Sequence, residues 1–365
     1  MKYIQKIPNI HSDYLNQLLR IKYGIKDVDK FLNPIKDYEL DSERLANCAA
    51  AVKFIHDNLD KHFGLIVDCD MDGFCSAALI YNYLKKVNPS IDITYYIHSG
   101  KQHGLEDMMT KIDISMDILL IVDASSNDKE YCDKLGEKYG IKTCILDHHH
   151  SDIPPSSFSI LVNNQLSEDY PNKTLSGAGV VYKFCQLFDR YYGYDYAPDF
   201  IDLAAVAIIG DMMDLNELET RYIVEQGLAN IRNLFLLSLI EKQAYSLGEG
   251  PITPTKISFY IVPLVNALIR VGTDQEKEIM FEAFIDGTKI VPSTKRGAKN
   301  AMETVCEQAT RNCVNARSRQ NRAKEKASDT IDMIICKEGL DENKILTIVI
   351  DDDTIDTTLT GLLAM

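Results

Sequence analysis

Three aspartates at alternate positions are the residues of this sequence best suited to chemistry: Asp68, Asp70 and Asp72 in the string DCDMDG. Carboxylates this close repel one another, and a bound cation offsets the repulsion. Gly73 follows directly and permits a tight turn into the next element. The same string opens a calcium loop of the EF-hand type, but that loop needs a glutamate at its twelfth position, where this chain has Leu79. We therefore reject the EF-hand and expect a different cation site.

A second cluster, DHHH at 147–150, offers imidazole ligands. An aspartate beside adjacent histidines can orient their rings, so we expect Asp147 to serve His148 and His149. Two further carboxylates follow apolar segments, Asp123 after DILLIV and Asp211 after DFIDLAAVAIIG. Oxygen and nitrogen ligands without sulfur favour Mn²⁺ or Mg²⁺ over structural zinc.

The large number of carboxylates beside so few histidines indicates two ions. Two such ions about 4 Å apart can share a bridging hydroxide as nucleophile and clamp the oxygens of a phosphodiester. Each cluster taken alone could be an acidic surface turn or a pair of structural histidines. Their convergence favours metal-dependent phosphoester hydrolysis.

The elements that position these residues are read from the apolar pattern. Short apolar runs alternate with helical stretches such as 74–87, and they fall at 65–68, 93–99, 117–124, 142–149 and 160–164. Continuous rather than alternating hydrophobicity predicts a mostly parallel sheet covered by helices on both faces, hence an α/β fold. Ligands of such sheets gather beyond the carboxyl ends of the strands, and the candidate residues follow those ends.

The remaining segments predict four regions. Residues 1–60 read as a helical N-terminal cap whose clearest helix covers 41–62 and is capped by Asp41 or Ser42. Residues 61–298 form the phosphoesterase domain, with helices over 176–192, from near Pro198, and over 220–246. A long basic connector helix covers 299–332. Residues 333–365 begin a second α/β domain, with a strand at 343–353.

Composition limits the class of protein. The chain has 365 residues and no run of eighteen apolar ones, and its N-terminus lacks the apolar core of a secretory signal, so we expect a cytoplasmic protein without a membrane span. Nine cysteines without a CxxC pair indicate reduced core thiols. The net charge of −15 opposes nucleic-acid binding, but the stretch 289–326 carries ten Lys or Arg against three Glu, enough for phosphate contacts.

These motifs resemble the DHH phosphoesterase family, named for the triplet found here at 147–149, and within it the RecJ subgroup. The resemblance covers nearly the whole chain. It includes FLNPIKDYELDSERL at 31–45, similar to the helical cap of RecJ, and LSGAGVVYKF at 175–184. It also includes PLVNALIRVG at 263–272, similar to the family string PRxNAxGR.

The resemblance implies a site residue by residue. Metal ligands would be Asp70, Asp72, Asp123, His148 and Asp211, with Asp123 bridging and Asp68 either ligating or holding a ligand. His149 would contact phosphate, oriented by Asp147, and these two with Asp123 would be the catalytic residues. Ser176, Gly177, Asn266 and Arg270 would contact the substrate strand. The chain departs from the family pattern at Ile66, where many members have a histidine, and at Leu264 and Ile269.

The implied activity is removal of 5′-mononucleotides from the 5′ end of single-stranded DNA, with a single-strand-binding protein or other replication or repair protein as a further partner. Two alternatives stay open: a phosphodiesterase for short oligonucleotides or cyclic dinucleotides, and an inactive scaffold that only binds partners. TLTGLLAM at 358–365 resembles the entry to the family's C-terminal nucleic-acid-binding domain, so we expect either a fragment or a function split between chains.

Overall fold

A computed structural model describes residues 14–98, 103–297, 300–340 and 347–348. Its centre is a five-stranded sheet with the strands β1 (His62–Val67), β2 (Asp92–Ile97), β3 (Ile118–Val122), β4 (Lys142–Asp147) and β5 (Ser159–Asn163). The strand order is β2-β1-β3-β4-β5 and every pairing is parallel. The predicted α/β fold with a parallel sheet is confirmed.

The strands are apolar on both faces because each face carries its own core. Leu65 and Val67 of β1 point into the larger core, which helices cover, while the intervening Ile66 lies in a smaller core on the opposite face. Successive side chains of a strand alternate between faces, so a doubly covered strand has no polar side. This is why the runs in the sequence are continuous.

Thirteen helices precede the long C-terminal one in the described part of the chain. They are α1 (Tyr14–Tyr23), α2 (Val28–Leu32), α3 (Cys48–His56), α4 (Met71–Val87), α5 (Lys129–Tyr139), α6 (Gly177–Tyr192), α7 (Ile201–Gly210), α8 (Leu218–Ala229), α9 (Leu234–Lys242), α10 (Ala244–Leu247), α11 (Pro254–Lys256), α12 (Val262–Val271) and α13 (Asp274–Ile285). Short 3₁₀ turns occur at Lys36–Tyr38, Ser42–Arg44, Met108–Thr110 and Ala197–Phe200, and one π turn, Ile257–Ile261, precedes α12.

Two predicted helices are interrupted. The helix expected over 41–62 is a 3₁₀ turn capped by Asp41, followed by α3, because Asn47 takes a left-handed backbone conformation between them. The helix expected over 220–246 divides into α8, α9 and α10. Its break falls at Asn233, whose side chain accepts from Phe235 and Leu236 N–H and so starts a new helix.

The long basic helix, α14 (Val305–Glu338), begins and ends later than the predicted 299–332. Its start is fixed by a capping box between Thr304 and Glu307, directly after a small antiparallel pair, β6 (Ile290–Pro292) and β7 (Met302–Thr304). Its first half is buried through Ala309, Cys313 and Ala316 and packs against α9, α12 and α13. The strand predicted at 343–353 and the segment 358–365 lie outside the described residues, apart from 347–348.

All nine cysteines are free, and only Cys336 is exposed. Among the described residues, no single helix combines the length and apolar composition needed to cross a bilayer, although α8 and α9, bent by 75°, pass such a test as a pair.

Candidate metal centre

The carboxyl ends of β1, β3 and β4 place the candidate residues side by side. Asp68 follows β1, Asp123 follows β3 and Asp147 ends β4, and these three strands are neighbours in the sheet. The strand order reverses between β1 and β3, and parallel sheets bind ligands in the crevice at such a reversal. The predicted sheet edge is therefore the candidate site.

The start of α4 supplies two more carboxylates. Asp70 caps the helix, with Oδ1 accepting from Gly73 N–H at 3.0 Å. Asp72 lies inside the first turn, where the partial positive charge of the helix N-terminus favours an anion. The buried Asp72 carboxylate is held from the other side by the start of α6: Ser176 Oγ at 3.0 Å, Gly177 N at 2.7 Å and Ala178 N at 2.9 Å all donate to it.

Asp123 lies at the centre of the cluster in an unusual backbone conformation. Its φ of +61° is in the left-handed region, which costs on the order of 1–3 kcal/mol for a non-glycine residue and is typical of functional sites. Gly177 packs so closely against it that a Cβ there would lie 2.5 Å from Asp123 Cβ and Oδ1. The glycine is thus required by the approach of α6 to β3.

The DHH motif divides into an orienting aspartate and two rings. The buried Asp147 accepts from Ser126 N–H at 3.0 Å and His148 N–H at 2.7 Å, and its Oδ1 lies 2.8 Å from His149 Nδ1. His148 is nearly buried, whereas the His149 ring is half-exposed at the mouth of the site. The motif therefore points one imidazole into the cluster and one toward solvent.

His148 Nε2 faces three carboxylates. It lies 3.2 Å from Asp123 Oδ1, 3.6 Å from Asp211 Oδ2 and 3.7 Å from Asp72 Oδ2. Asp211 reaches this point from the C-terminal end of α7, as predicted. Three carboxylate oxygens within 3.7 Å of one imidazole nitrogen form a group of ligand atoms that suits a cation.

The other side of the cluster forms a second ligand set. Asp68, Asp70 and Asp123 place one carboxylate oxygen each within 4.8 Å of one another. Asp72, His148 and Asp211 meet the same limit, and so do Asp123, His148 and His149. Asp68 Oδ1 and Asp123 Oδ1 are buried and have no hydrogen-bond partner. A buried carboxylate oxygen without a partner is costly, and a divalent cation supplies the missing partner. The residues present therefore fit Mn²⁺ or Mg²⁺ in two positions that share Asp123.

The electrostatics of the cluster match this interpretation. Burial, followed by the charges of Asp72 and other aspartates, raises the pKa of Asp70 to about 6 and holds the pKa of Asp123 well above its usual range. Burial likewise raises the pKa of Asp211. Strongly perturbed carboxylates in a cleft are typical of functional sites.

The hydrogen bond between Asp147 and His149 lowers the pKa of the aspartate and raises the pKa of the histidine. Burial alone would raise the pKa of Asp147, but the hydrogen bond from His149 and the N–H of Ser126 lower it to about 2. The same hydrogen bond raises the pKa of His149 to about 9, against the smaller effect of burial. The contact with Asp147 therefore favours the protonated form of His149 beside the carboxylates.

Two histidines at this edge were not predicted from the sequence. His103 Nδ1 lies 2.6 Å from Asp68 Oδ2, and this hydrogen bond raises the pKa of His103 to about 11. The buried His98, just past β2, directs Nε2 toward Asp68 Oδ1 at 3.8 Å, and burial lowers its pKa. His98 ends a predicted strand, so the rule that found Asp123 could have found it. His103 lies in a loop and gave no such signal.

The four predicted substrate contacts lie in two places. Ser176 and Gly177 are buried at the start of α6 and donate to Asp72. Asn266 and Arg270 are half-buried on α12, and Asn266 Oδ1 has no hydrogen-bond partner. The N-terminal end of α12 lies near the site, because Val262 and Met71 flank Gly210, next to Asp211. Contact with a substrate stays a prediction for all four.

Comparison with known proteins places this geometry in a family. Residues 63–208 match the DHH family, N-terminal domain. The chain is 36% identical over 345 residues to proteins named as single-strand DNA-specific exonucleases, the SPbeta prophage-derived YorK of Bacillus subtilis (strain 168) and yorK of Bacillus phage SPbeta. The match covers 93% of this chain and 59% of each relative, so the chain spans about three fifths of the length of these curated relatives.

Solved structures give the same fold. RecJ from Thermus thermophilus in complex with Mn²⁺ superposes with a TM-score of 0.64 at 20% identity, over 87% of this chain and 43% of that one. An exonuclease RecJ bound to manganese superposes with a TM-score of 0.65 at 20% identity, over 80% of this chain and 71% of that one.

The chain thus carries, at residues 63–208, the N-terminal domain of the DHH family. The relatives matched in sequence are named as single-strand DNA-specific exonucleases, and the RecJ structures share the fold of this chain. The family resemblance found in the motifs is thus confirmed.

Proposed function

We propose that this chain hydrolyses phosphodiester bonds of single-stranded DNA and releases 5′-mononucleotides from the 5′ end, with two Mn²⁺ or Mg²⁺ ions as cofactors. The observation that carries the proposal is the pair of ligand sets that share Asp123 at one sheet edge. The names of the YorK and RecJ relatives support the choice of substrate. When bound, such ions lower the pKa of a coordinated water and neutralise phosphate oxygens.

The residues of the chain divide the work around that chemistry. Asp68, Asp70, Asp72, Asp123, His148 and Asp211 would hold the ions. Asp147 fixes the ring of His149, whose half-exposed imidazole can donate to a phosphate oxygen at the open side of the site. Ser176 and Gly177 donate to Asp72, which favours an indirect contribution to substrate binding. Asn266 and Arg270 are proposed to face the strand.

The proposal also covers the protein partners, the cellular location and the division of the chain into regions. A DNA strand as substrate makes a single-strand-binding protein or another replication or repair protein a fitting partner, and a cytoplasmic location fits the same role. The four regions 1–60, 61–298, 299–332 and 333–365 are proposed as units, with α14 as the connector.

Strands labelled at the 5′ or the 3′ end test this function. In the presence of Mn²⁺, the 5′ label should appear first, as a mononucleotide, and a blunt duplex should be spared. Early loss of the 3′ label would contradict the polarity. A length series separates the alternative of a short-oligonucleotide phosphodiesterase, because that enzyme would slow sharply as the strand lengthens.

A further inference from the structure

The second ligand set is short of nitrogen compared with the first. Around His148, the set consists of one imidazole with the carboxylates of Asp72, Asp123 and Asp211. The second set has the carboxylates of Asp68, Asp70 and Asp123. Its own strand cannot add a histidine beside Asp68, since Ile66 is buried in the apolar core of the opposite face.

Asp68 connects this second set to another group of donor atoms. Its carboxylate belongs both to the set with Asp70 and Asp123 and to a group with Cys69 and His103, whose donor atoms also lie within 4.8 Å of one another. The Asp68 side chain is 1% exposed, and its Oδ1 lacks a hydrogen-bond partner. An unpartnered oxygen buried this deeply points to a ligand.

His103 is the donor in that group that suits a hard cation. The sulfur of Cys69 is a soft ligand, which Mn²⁺ and Mg²⁺ do not select, whereas an imidazole nitrogen already belongs to the first ligand set. The contact of 2.6 Å between His103 Nδ1 and Asp68 Oδ2 parallels that of 3.2 Å between His148 Nε2 and Asp123 Oδ1 in the first set. In both sets an imidazole nitrogen lies within 3.2 Å of a buried carboxylate oxygen.

The loop holds His103 at this place through its neighbours. Gly104 has a φ of +78°, and a Cβ on it would lie 2.4 Å from Asp128 Oδ2. The N–H of the buried Leu105 donates to the same oxygen at 2.8 Å. The loop is thus anchored at Gly104 and Leu105, directly after His103. The half-exposed ring of His103 remains reachable by an ion from solvent.

We propose that His103 is a nitrogen ligand of the second metal position, alongside Asp68, Asp70 and Asp123. Each position then has one imidazole and three carboxylates, with Asp123 common to both. The second position would consequently favour Mn²⁺ over Mg²⁺ more strongly than carboxylates alone would. This inference rests on the two-ion centre of the proposed function.

Titration of the full chain with Mn²⁺, followed by calorimetry, tests the assignment. The unaltered protein should bind two ions. His103→Ala should keep one with unchanged affinity and bind the other at least about tenfold more weakly, with a smaller change for Mg²⁺. His103→Gln, which can still donate to Asp68, should behave like His103→Ala. His150→Ala is the matched control, because His150 is an exposed histidine paired with Asp152 and should change neither ion.

Pulsed electron paramagnetic resonance of the bound Mn²⁺ detects histidine nitrogen ligands directly, independently of any change in protein stability. In the unaltered protein both ions should show coupling to a histidine nitrogen, and in His103→Gln only one. Two ions with unchanged affinity and unchanged nitrogen coupling in the His103 variants would overturn the assignment and leave the proposed function standing. Failure of the unaltered protein to bind two ions would overturn both.

Discussion

At the scale of single residues, Asp123 is central to the site because both ligand sets contain it. Replacing it with asparagine removes one negative charge from two positions at once while keeping the shape of the side chain. We expect Asp123→Asn to weaken the binding of both Mn²⁺ ions, whereas Asp211→Asn should weaken only one. Calorimetric stoichiometry checks this, with the exposed Asp152→Asn as control. Loss of a single ion in Asp123→Asn would show that the carboxylate is not shared.

Proton release provides a second residue-scale prediction. Because the pKa of Asp70 is raised to about 6, a metal ion must displace a proton from it at lower pH. The raised pKa values of Asp123 and Asp211 act in the same direction. Apparent Mn²⁺ affinity should therefore fall as the pH drops, by about tenfold per pH unit for each proton displaced, and more steeply below pH 6, where Asp70 adds its proton to that of the proposed ligand His103. Calorimetry in two buffers of different ionisation enthalpy measures the protons released; constant affinity from pH 8 to 5 would refute the prediction.

The residues that sequence alone could predict share one property. Asp68, Asp123 and Asp147 adjoin apolar strands, and the parallel sheet brings the ends of those strands together without any knowledge of loops. His103 reaches Asp68 only through the path of a loop after β2, which depends on Gly104 and the contact with Asp128. Local pattern does not encode such a path, so the sequence alone could not predict this histidine.

At the scale of elements, the N-terminus of α6 is the support of the centre. It donates to Asp72 and packs against Asp123, so its position sets two ligands. Gly177→Ala should displace Asp123 or α6 and lower Mn²⁺ affinity at least about tenfold. Gly179→Ala is the matched control in the same turn, because the atoms nearest to its Cβ would be side-chain atoms of Leu175, the first at 3.1 Å. Equal affinities in the two variants would contradict this role of α6.

Strands were easier to predict than helix boundaries for a physical reason. A strand that is buried on both faces is a continuous apolar run in the sequence, and all five strands lie at such runs. The breaks at Asn47 and Asn233 depend on a left-handed residue and a side-chain cap, which compete with good helix-forming neighbours. Similarly, α14 starts at Val305 because of the Thr304 capping box, a signal inside a stretch that reads as helical throughout.

At the scale of the whole molecule, the basic stretch 289–326 offers less charge to DNA than its composition suggests. Several of its cations are already paired with glutamates: Lys289 with Glu282, Lys295 and Arg311 with Glu303, and Arg319 with Glu276. Within the described part of the chain, the structure records no ion pair for the exposed Arg322, Lys324 and Lys326 of α14. Phosphate contacts should therefore concentrate on this later part of the helix.

Removing positive charges from this later part of α14 tests where the phosphate contacts lie. Arg322→Gln with Lys324→Gln should weaken binding to single-stranded DNA and flatten the plot of log affinity against log salt by about 0.7 for each phosphate that is no longer neutralised. Fluorescence anisotropy in EDTA, which prevents hydrolysis, measures both quantities at several salt concentrations. The control pair Lys134→Gln with Lys138→Gln, exposed on α5, should leave the slope unchanged. Equal effects of the two pairs would place the phosphate contacts elsewhere.

The central claim is that the carboxylates and the histidine at the edge of β1, β3 and β4 form one metal centre that cleaves phosphodiesters. Its most direct test is the rate of mononucleotide release from a single-stranded oligonucleotide by the full chain with Mn²⁺, with EDTA, and with Asp123→Asn. We predict release with Mn²⁺, none with EDTA, and a reduction on the order of a thousandfold in the variant, because the activated water depends on the shared ligand. Release at the full rate in EDTA, or by Asp123→Asn in Mn²⁺, would contradict this claim.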